Sequence, residues 1–173
     1  MPSELFNELM SDINERQEEL NAVQVALEWT AKRSSDLGKF LKVAVIVLGA
    51  FSATRDVADK IFPNTLVMLI YTSVALAITI IGGIVTAFRY ESRASDVNLL
   101  AVECSSYIRE IDGNLPRKGD PAPMDHQVAA AHELIDLQND HIRTVQDKSA
   151  RLGVNINRRV RKIKMEWIPD KRV

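Results

Sequence analysis

The sequence predicts an all-α membrane protein: a two-helix transmembrane hairpin carrying long cytoplasmic amphipathic helices. Three observations lead there. Thr65 to Phe88 contains no Asp, Glu, Lys or Arg, and a helix of that length crosses a hydrocarbon core of roughly 30 Å. A shorter apolar run, Val43 to Ala53, precedes it across a brief polar connection. Elsewhere apolar residues recur by threes and fours among dense charge, the pattern of amphipathic helices, with no strand signal and no internal repeat. The expected segments are 1–36, an N-terminal cytoplasmic helix; 37–88, the hairpin; and 89–173, a cytoplasmic helical region.

Average composition conceals this division. A chain of 173 residues with 46% hydrophobic residues and a mean hydropathy of -0.07 would suit an ordinary soluble domain. The net charge of -1 supplies no global positive field, so no nucleic-acid partner is expected. Charge is instead polarised between the ends. Met1 to Ala31 carries one cation and seven anions, 1 - 7 = -6, while Arg158 to Val173 carries seven cations and two anions, 7 - 2 = +5. Cys104 is the sole cysteine, which excludes an intrachain disulfide and a Cys-rich zinc site. The acidic N-terminus fits neither a signal peptide nor a transit peptide.

The first element runs from Glu4 to Arg33, with Phe6, Leu9, Ile13, Leu20, Val23 and Leu27 on one stripe. Ser3 is the expected N-cap, and acidic first turns suit the helix dipole. At 1.5 Å per residue the helix is roughly 45 Å long, and its stripe requires a partner. Gly38 is the expected bend before the membrane. The first span is the Val43–Ala53 run extended to Leu37–Thr54, which brings in Lys39 and Lys42 at one end. Their long side chains can snorkel to the headgroups; the alternative is a buried soluble helix. Arg55 to Asn64, ending in Pro63-Asn64, is the turn. The second span, Thr65 to Phe88, is closed by Arg89 and Tyr90, an interfacial pair.

Orientation follows from the flanking cations. Lys32, Arg33, Lys39 and Lys42 precede the first span, Arg89 and Arg93 follow the second, and the connection holds only Arg55 and Lys60. Both termini are therefore expected in the cytoplasm. Ser95 to Ile111 is the next helix, with Val97, Leu100, Ala101, Cys104, Tyr107, Ile108 and Ile111 on one face, stopped by Asp112-Gly113. Leu115 to Met124, with three prolines, is a loop. Asp125 to Leu152 is a further helix with Asp125 as N-cap and Gly153 as stop, and Val154 to Trp167 is a short basic helix or a continuation of it.

The second span carries the sharpest pattern. Thr65, Thr72, Thr79 and Thr86 recur every seven residues, which keeps four hydroxyls on one face with a drift of about 20° per heptad. Gly82 and Gly83 lie beside them, and Ala75, Thr79, Gly83 and Ala87 form a ladder of small residues. Such a face either lines a polar path or packs closely against copies of itself. The plainer alternative is that each hydroxyl bonds to its own helix backbone. No charge lies inside the span, which argues against a charged selectivity filter. In the first span Gly49 and Ala53 form a small pair suited to packing within the hairpin.

Catalysis finds little support. His132, Glu133 and Asp136 miss the zinc-protease pattern, which needs His where Asp136 stands, so neither a metal nor another cofactor is expected. Cys104 lies on an apolar stripe and suits a core better than a nucleophile. No glycine-rich phosphate loop is present. The run Arg158, Arg159, Arg161, Lys162 and Lys164 can meet anionic lipid or an anionic ligand. It can equally pair with the acidic N-terminal helix, whose charge nearly cancels its own.

A long helix with Glu28-Trp29-Thr30-Ala31-Lys32-Arg33, a short first span, a tight connection, a second span and trailing helices resembles the SLATT family, the SMODS- and SLOG-associating two-transmembrane effectors of bacterial anti-phage defence. The resemblance covers Leu20 to Ile111 and rests on architecture. It implies a multi-pass protein of the bacterial inner membrane that forms homo-oligomers and permeabilises or depolarises that membrane when a nucleotide-signalling partner protein senses infection. Asn114 to Val173 matches no pattern of the family. The competing expectation is a non-lytic anchor or scaffold that recruits a partner through its cytoplasmic helices.

Overall fold

Every regular element in the computed structural model is a helix. The structure describes residues 2–55, 65–115, 123–156 and 160, and no strand occurs among them. The helices are α1 (Pro2–Ala53), α2 (Thr65–Phe88), α3 (Tyr90–Asn114) and α4 (Met124–Arg151). They divide between two units: residues 1–31 with 95–173, and residues 32–94.

In the first unit the N-terminal part of α1, α3 and α4 form an up-down-up bundle. The direction follows from the contacts. Gln17 faces Asp112 and Leu20 faces Cys104, so α1 and α3 are antiparallel. Ile13 meets Gln138 and Arg16 meets Asn139, so α1 and α4 are parallel. The core takes Ile13, Leu20 and Leu27 from α1, Val97, Cys104 and Ile111 from α3, and Ala131, Leu134 and Val145 from α4. Burying each large aliphatic side chain contributes about 1.5–3 kcal/mol. The stripe on α1 skips from Ile13 to Leu20 because a polar layer lies between them. Arg16 donates to Asn139 and Asp12, Gln17 donates to Asp112, and the buried Gln138 amide donates to the Ile13 carbonyl at 3.1 Å.

α4 begins one residue earlier than the sequence suggests. Pro123 occupies the N-cap without a side-chain bond, and Asp125 lies inside the first turn, where its charge still suits the dipole. Its end is as expected. Gly153 has φ 66°, its N–H donates to Ala150 and the Val154 N–H donates to Ser149 at 2.8 Å. That pair of bonds satisfies two terminal carbonyls and turns the buried Val154 back onto the core.

In the second unit the C-terminal part of α1 packs antiparallel to α2. Three expectations for α1 fail. Ser3 is not a cap, because α1 already starts at Pro2, a residue well suited to a first turn. Gly38 is not a bend, because α1 runs unbroken through it. The glycine serves close approach instead: a Cβ there would stand 3.1 Å from the Tyr90 Cβ. Gly49 does not mark tight hairpin packing, since nothing lies within 4 Å of where its Cβ would be. At the far end Phe51 stacks on Tyr71 at 5.2 Å and the Thr54 and Tyr71 hydroxyls are 3.1 Å apart.

Candidate functional site

α2 has two distinct faces. Val67, Tyr71, Val74, Ile78, Ile81 and Val85 alternate by fours and threes and are buried or partly buried. This seam meets α1, as the Phe51–Tyr71 stack shows. The remaining circumference is open. Met68, Leu69, Ile70, Leu76, Ile80, Ile84 and Phe88 are exposed, and on α1 so are Phe40, Val43, Ile46, Val47 and Phe51. α2 is long and apolar enough to cross a membrane, and only 6% of its most apolar stretch is buried. Within the chain this surface is left largely uncovered.

Thr65, Thr72, Thr79 and Thr86 lie on this open side, and all four are exposed. Thr72 donates to the Met68 carbonyl at 2.8 Å, Thr79 to Ala75 at 3.0 Å and Thr86 to Gly82 at 2.9 Å. Ser73 does the same to Leu69. Each proton is thus used within the helix, leaving acceptor lone pairs outward. Gly82 is partly buried and Gly83 exposed, and a Cβ on either would meet nothing within 4 Å.

Of the four interfacial residues expected from the sequence, Lys42, Arg89 and Tyr90 line one cavity at one end of this unit, and Lys39 is exposed on α1 less than one turn from Lys42. Lys42 Nζ lies 2.6 Å from Glu91 Oε1. Tyr90 stacks on Phe88 with ring centroids 5.7 Å apart. Arg89 separates α2 from α3 at φ 41°, a left-handed conformation that costs a non-glycine residue about 1–3 kcal/mol. Backbone bonding nevertheless continues across it, from the Arg89 N–H to Val85 and from the Arg93 N–H to Arg89. Glu91 and Tyr71 are not marked by the sequence pattern. Glu91 stands one residue beyond the interfacial pair, and Tyr71 is masked by a run in which nearly every position is apolar.

A second polar cluster lies in the helical bundle. Glu103 accepts from Lys148 and, at 2.7 Å, from the Tyr107 hydroxyl. Those two bonds hold its carboxyl below the usual carboxylate range. Burial, then the bond to Glu103, pushes the Tyr107 phenol up to about 12. His141 stacks on Tyr107 at 4.0 Å, and its Nε2 lies 3.3 Å from Glu110 Oε2 without the alignment of a hydrogen bond. Burial pushes the Cys104 thiol up to about 11, which suits a packed residue rather than a nucleophile. His132, Glu133 and Asp136 are exposed, and among the described residues no three His, Cys, Asp or Glu side chains are placed to hold a metal. Arg158, Arg159, Arg161, Lys162 and Lys164 lie outside the described residues.

The chain matches no model of a known protein family, no characterised protein and no solved structure.

Proposed function

We propose that this chain is a membrane effector: residues 37–54 and α2 cross the bilayer as a hairpin with both termini in the cytoplasm, and copies assemble and permeabilise or depolarise the membrane on a signal from a partner. The observation that carries this is the exposed apolar surface on both helices of the second unit. Patches beyond a few hundred Å² are rare on soluble monomers. Lipid removes that cost, and the polar backbone is satisfied inside each helix, as a bilayer requires. Lys39, Lys42, Arg89 and Tyr90 then fall at headgroup depth. The resemblance to the SLATT effectors supplies the defence setting, the bacterial inner membrane and the nucleotide-signalling partner.

Assembly uses the open threonine and glycine face. In hydrocarbon no hydrophobic drive brings helices together, so close packing at small residues must do it. Interhelical hydrogen bonds average only about 0.6 kcal/mol, so no single threonine decides the outcome. Gly83→Ile is the informative change, because the Cβ it adds meets no neighbouring atom within 4 Å. On inducible expression the wild type should depolarise cells loaded with a membrane-potential dye, and crosslinking should trap oligomers. Gly83→Ile should lose both, and Thr79→Val should change neither. Unchanged depolarisation and crosslinking in Gly83→Ile would remove this face from the assembly.

A second proposal, a non-lytic anchor or scaffold that recruits a partner through the cytoplasmic helices, has one specific observation in its favour. The hydroxyl protons of Thr72, Thr79 and Thr86 are already committed to their own backbone, as in ordinary helix packing. A wild type that never depolarises the membrane, even with its operon partners present, selects the scaffold.

A further inference from the structure

Beside the junction of α2 and α3 lies an open cavity of about 260 Å³, and all of its walls belong to the second unit. Gly38 forms one wall, where the absent Cβ lets α1 come within van der Waals reach of Tyr90. Val85 supplies an apolar side, and Lys42, Arg89 and Glu91 supply the charge. Two cations against one carboxylate give 2 - 1 = +1, an excess suited to an anion.

The two cations are arranged differently. Lys42 is paired with Glu91, but both side chains are about half exposed, at 51% and 53%. A pair so open to solvent is weak and exchangeable. Arg89 lies on the cavity at the turn between the helices, with its backbone fixed in the left-handed region. Its planar guanidinium matches the oxygens of a phosphate in a way that an ammonium does not. The volume is below the roughly 300–1,000 Å³ of sites for drug-sized ligands, which suits a small phosphate-bearing headgroup. The part of its lining that begins at Arg89 stands one residue past Phe88, the end of the apolar helix.

We infer that this cavity binds the phosphodiester of an anionic membrane phospholipid, with Lys42 and Arg89 as cationic partners and Glu91 as the internal anion that the lipid displaces from Lys42. The inference rests on α2 crossing the membrane, which brings the cavity to headgroup depth. A zwitterionic lipid would leave the excess positive charge uncompensated. An anionic one cancels it.

The test uses the full chain in detergent micelles, titrated with phosphatidylglycerol, phosphatidylcholine of the same acyl chains, or glycerol phosphate, with bound molecules counted by native mass spectrometry. The wild type should retain one phosphatidylglycerol in preference to phosphatidylcholine. Lys42→Gln with Arg89→Gln should weaken retention by about tenfold or more, the scale of lost charge-assisted contacts. Glu91→Gln should tighten it, a gain that misfolding cannot produce. Equal retention by the wild type and the double variant, weaker retention by Glu91→Gln, or glycerol phosphate bound as well as the lipid would each overturn the inference. Carbonate extraction of the same proteins separates the two levels. Extraction of the wild type from the membrane defeats the membrane proposal itself. Membrane retention without headgroup selectivity defeats only the lipid site.

Discussion

Gly38 offers the sharpest test of how the second unit is held together, because its two possible roles predict opposite signs. As a helix-interior glycine it costs about 0.8–1.0 kcal/mol relative to alanine. If that were its whole effect, any larger residue would stabilise the protein. The structure gives the opposing quantity: a Cβ at this position meets the Tyr90 Cβ at 3.1 Å, tighter than an ordinary carbon contact, with Glu91 Cγ behind it at 3.6 Å. The Tyr90 Cβ is fixed to its backbone, so it cannot swing aside as the end of a flexible side chain would. Overpacking of this kind costs about 1–3 kcal/mol. Gly38→Ala should therefore come out between neutral and about 2 kcal/mol destabilising, and Gly38→Leu, with three further carbons to place, at the upper end or beyond. For a chain of this size about 2 kcal/mol lowers the melting temperature by about 4–8 °C. The internal control is Gly49→Ala in the same helix, where no atom lies within 4 Å and no loss is expected. Melting of both variants by far-ultraviolet circular dichroism in one detergent gives the comparison. If Gly38→Leu melts with or above the wild type, α1 and Tyr90 do not approach as described, and the wall of the cavity beside the α2–α3 junction goes with that contact.

Other predictions concern the helical bundle. Cys104, fully buried with its thiol pushed up to about 11, should resist alkylation near neutral pH and react only as the bundle unfolds; labelling at the rate of a free thiol in native conditions would contradict its placement. Glu103 has a lowered proton affinity in the folded chain, so the unfolded chain binds that proton more tightly. Its stabilisation is present above the ordinary carboxylate value of about 4.3 and fades as the pH falls below it. Glu103→Gln should therefore flatten the acid limb of a stability–pH curve, and an unchanged limb would assign the acid sensitivity elsewhere. Tyr107 works in the other direction. Its raised value means stabilisation that is complete below about pH 10 and lost as the pH climbs toward 12, so Tyr107→Phe should remove a late tyrosinate absorbance step. Gly153→Ala places a Cβ at φ 66° and should cost about 1 kcal/mol, measured by chemical denaturation; a neutral result would mean that the end of α4 rearranges freely.

What could be read from the chain before the structure depended on whether a residue's role is local. The apolar length of α2 is local, since an uncharged run needs no partner to declare itself. So is the stop at Gly153, where a left-handed residue ends the helix. Gly38 shows the opposite case. Read locally, a glycine before an apolar run looks like a bend, and its actual neighbour is Tyr90, far along the chain. The gap in the α1 stripe at Arg16 and Gln17 is visible, but its partners Asn139 and Asp112 come from two other helices and follow no spacing rule. Within α2 the seam through Tyr71 was hidden because its neighbours are equally apolar. The threonine period was plain, whereas the direction of each hydroxyl depends on a rotamer that sequence does not record.

The central claim is that residues 37–54 and α2 both cross the membrane, and topology measures this most directly. A paired reporter that is active on only one side of the inner membrane should be fused at residue 1, at residue 58 in the connection, and at residue 173. A hairpin gives a cytoplasmic signal at both ends and a periplasmic signal at residue 58. A periplasmic signal at either end, or a cytoplasmic one at all three, would contradict the hairpin.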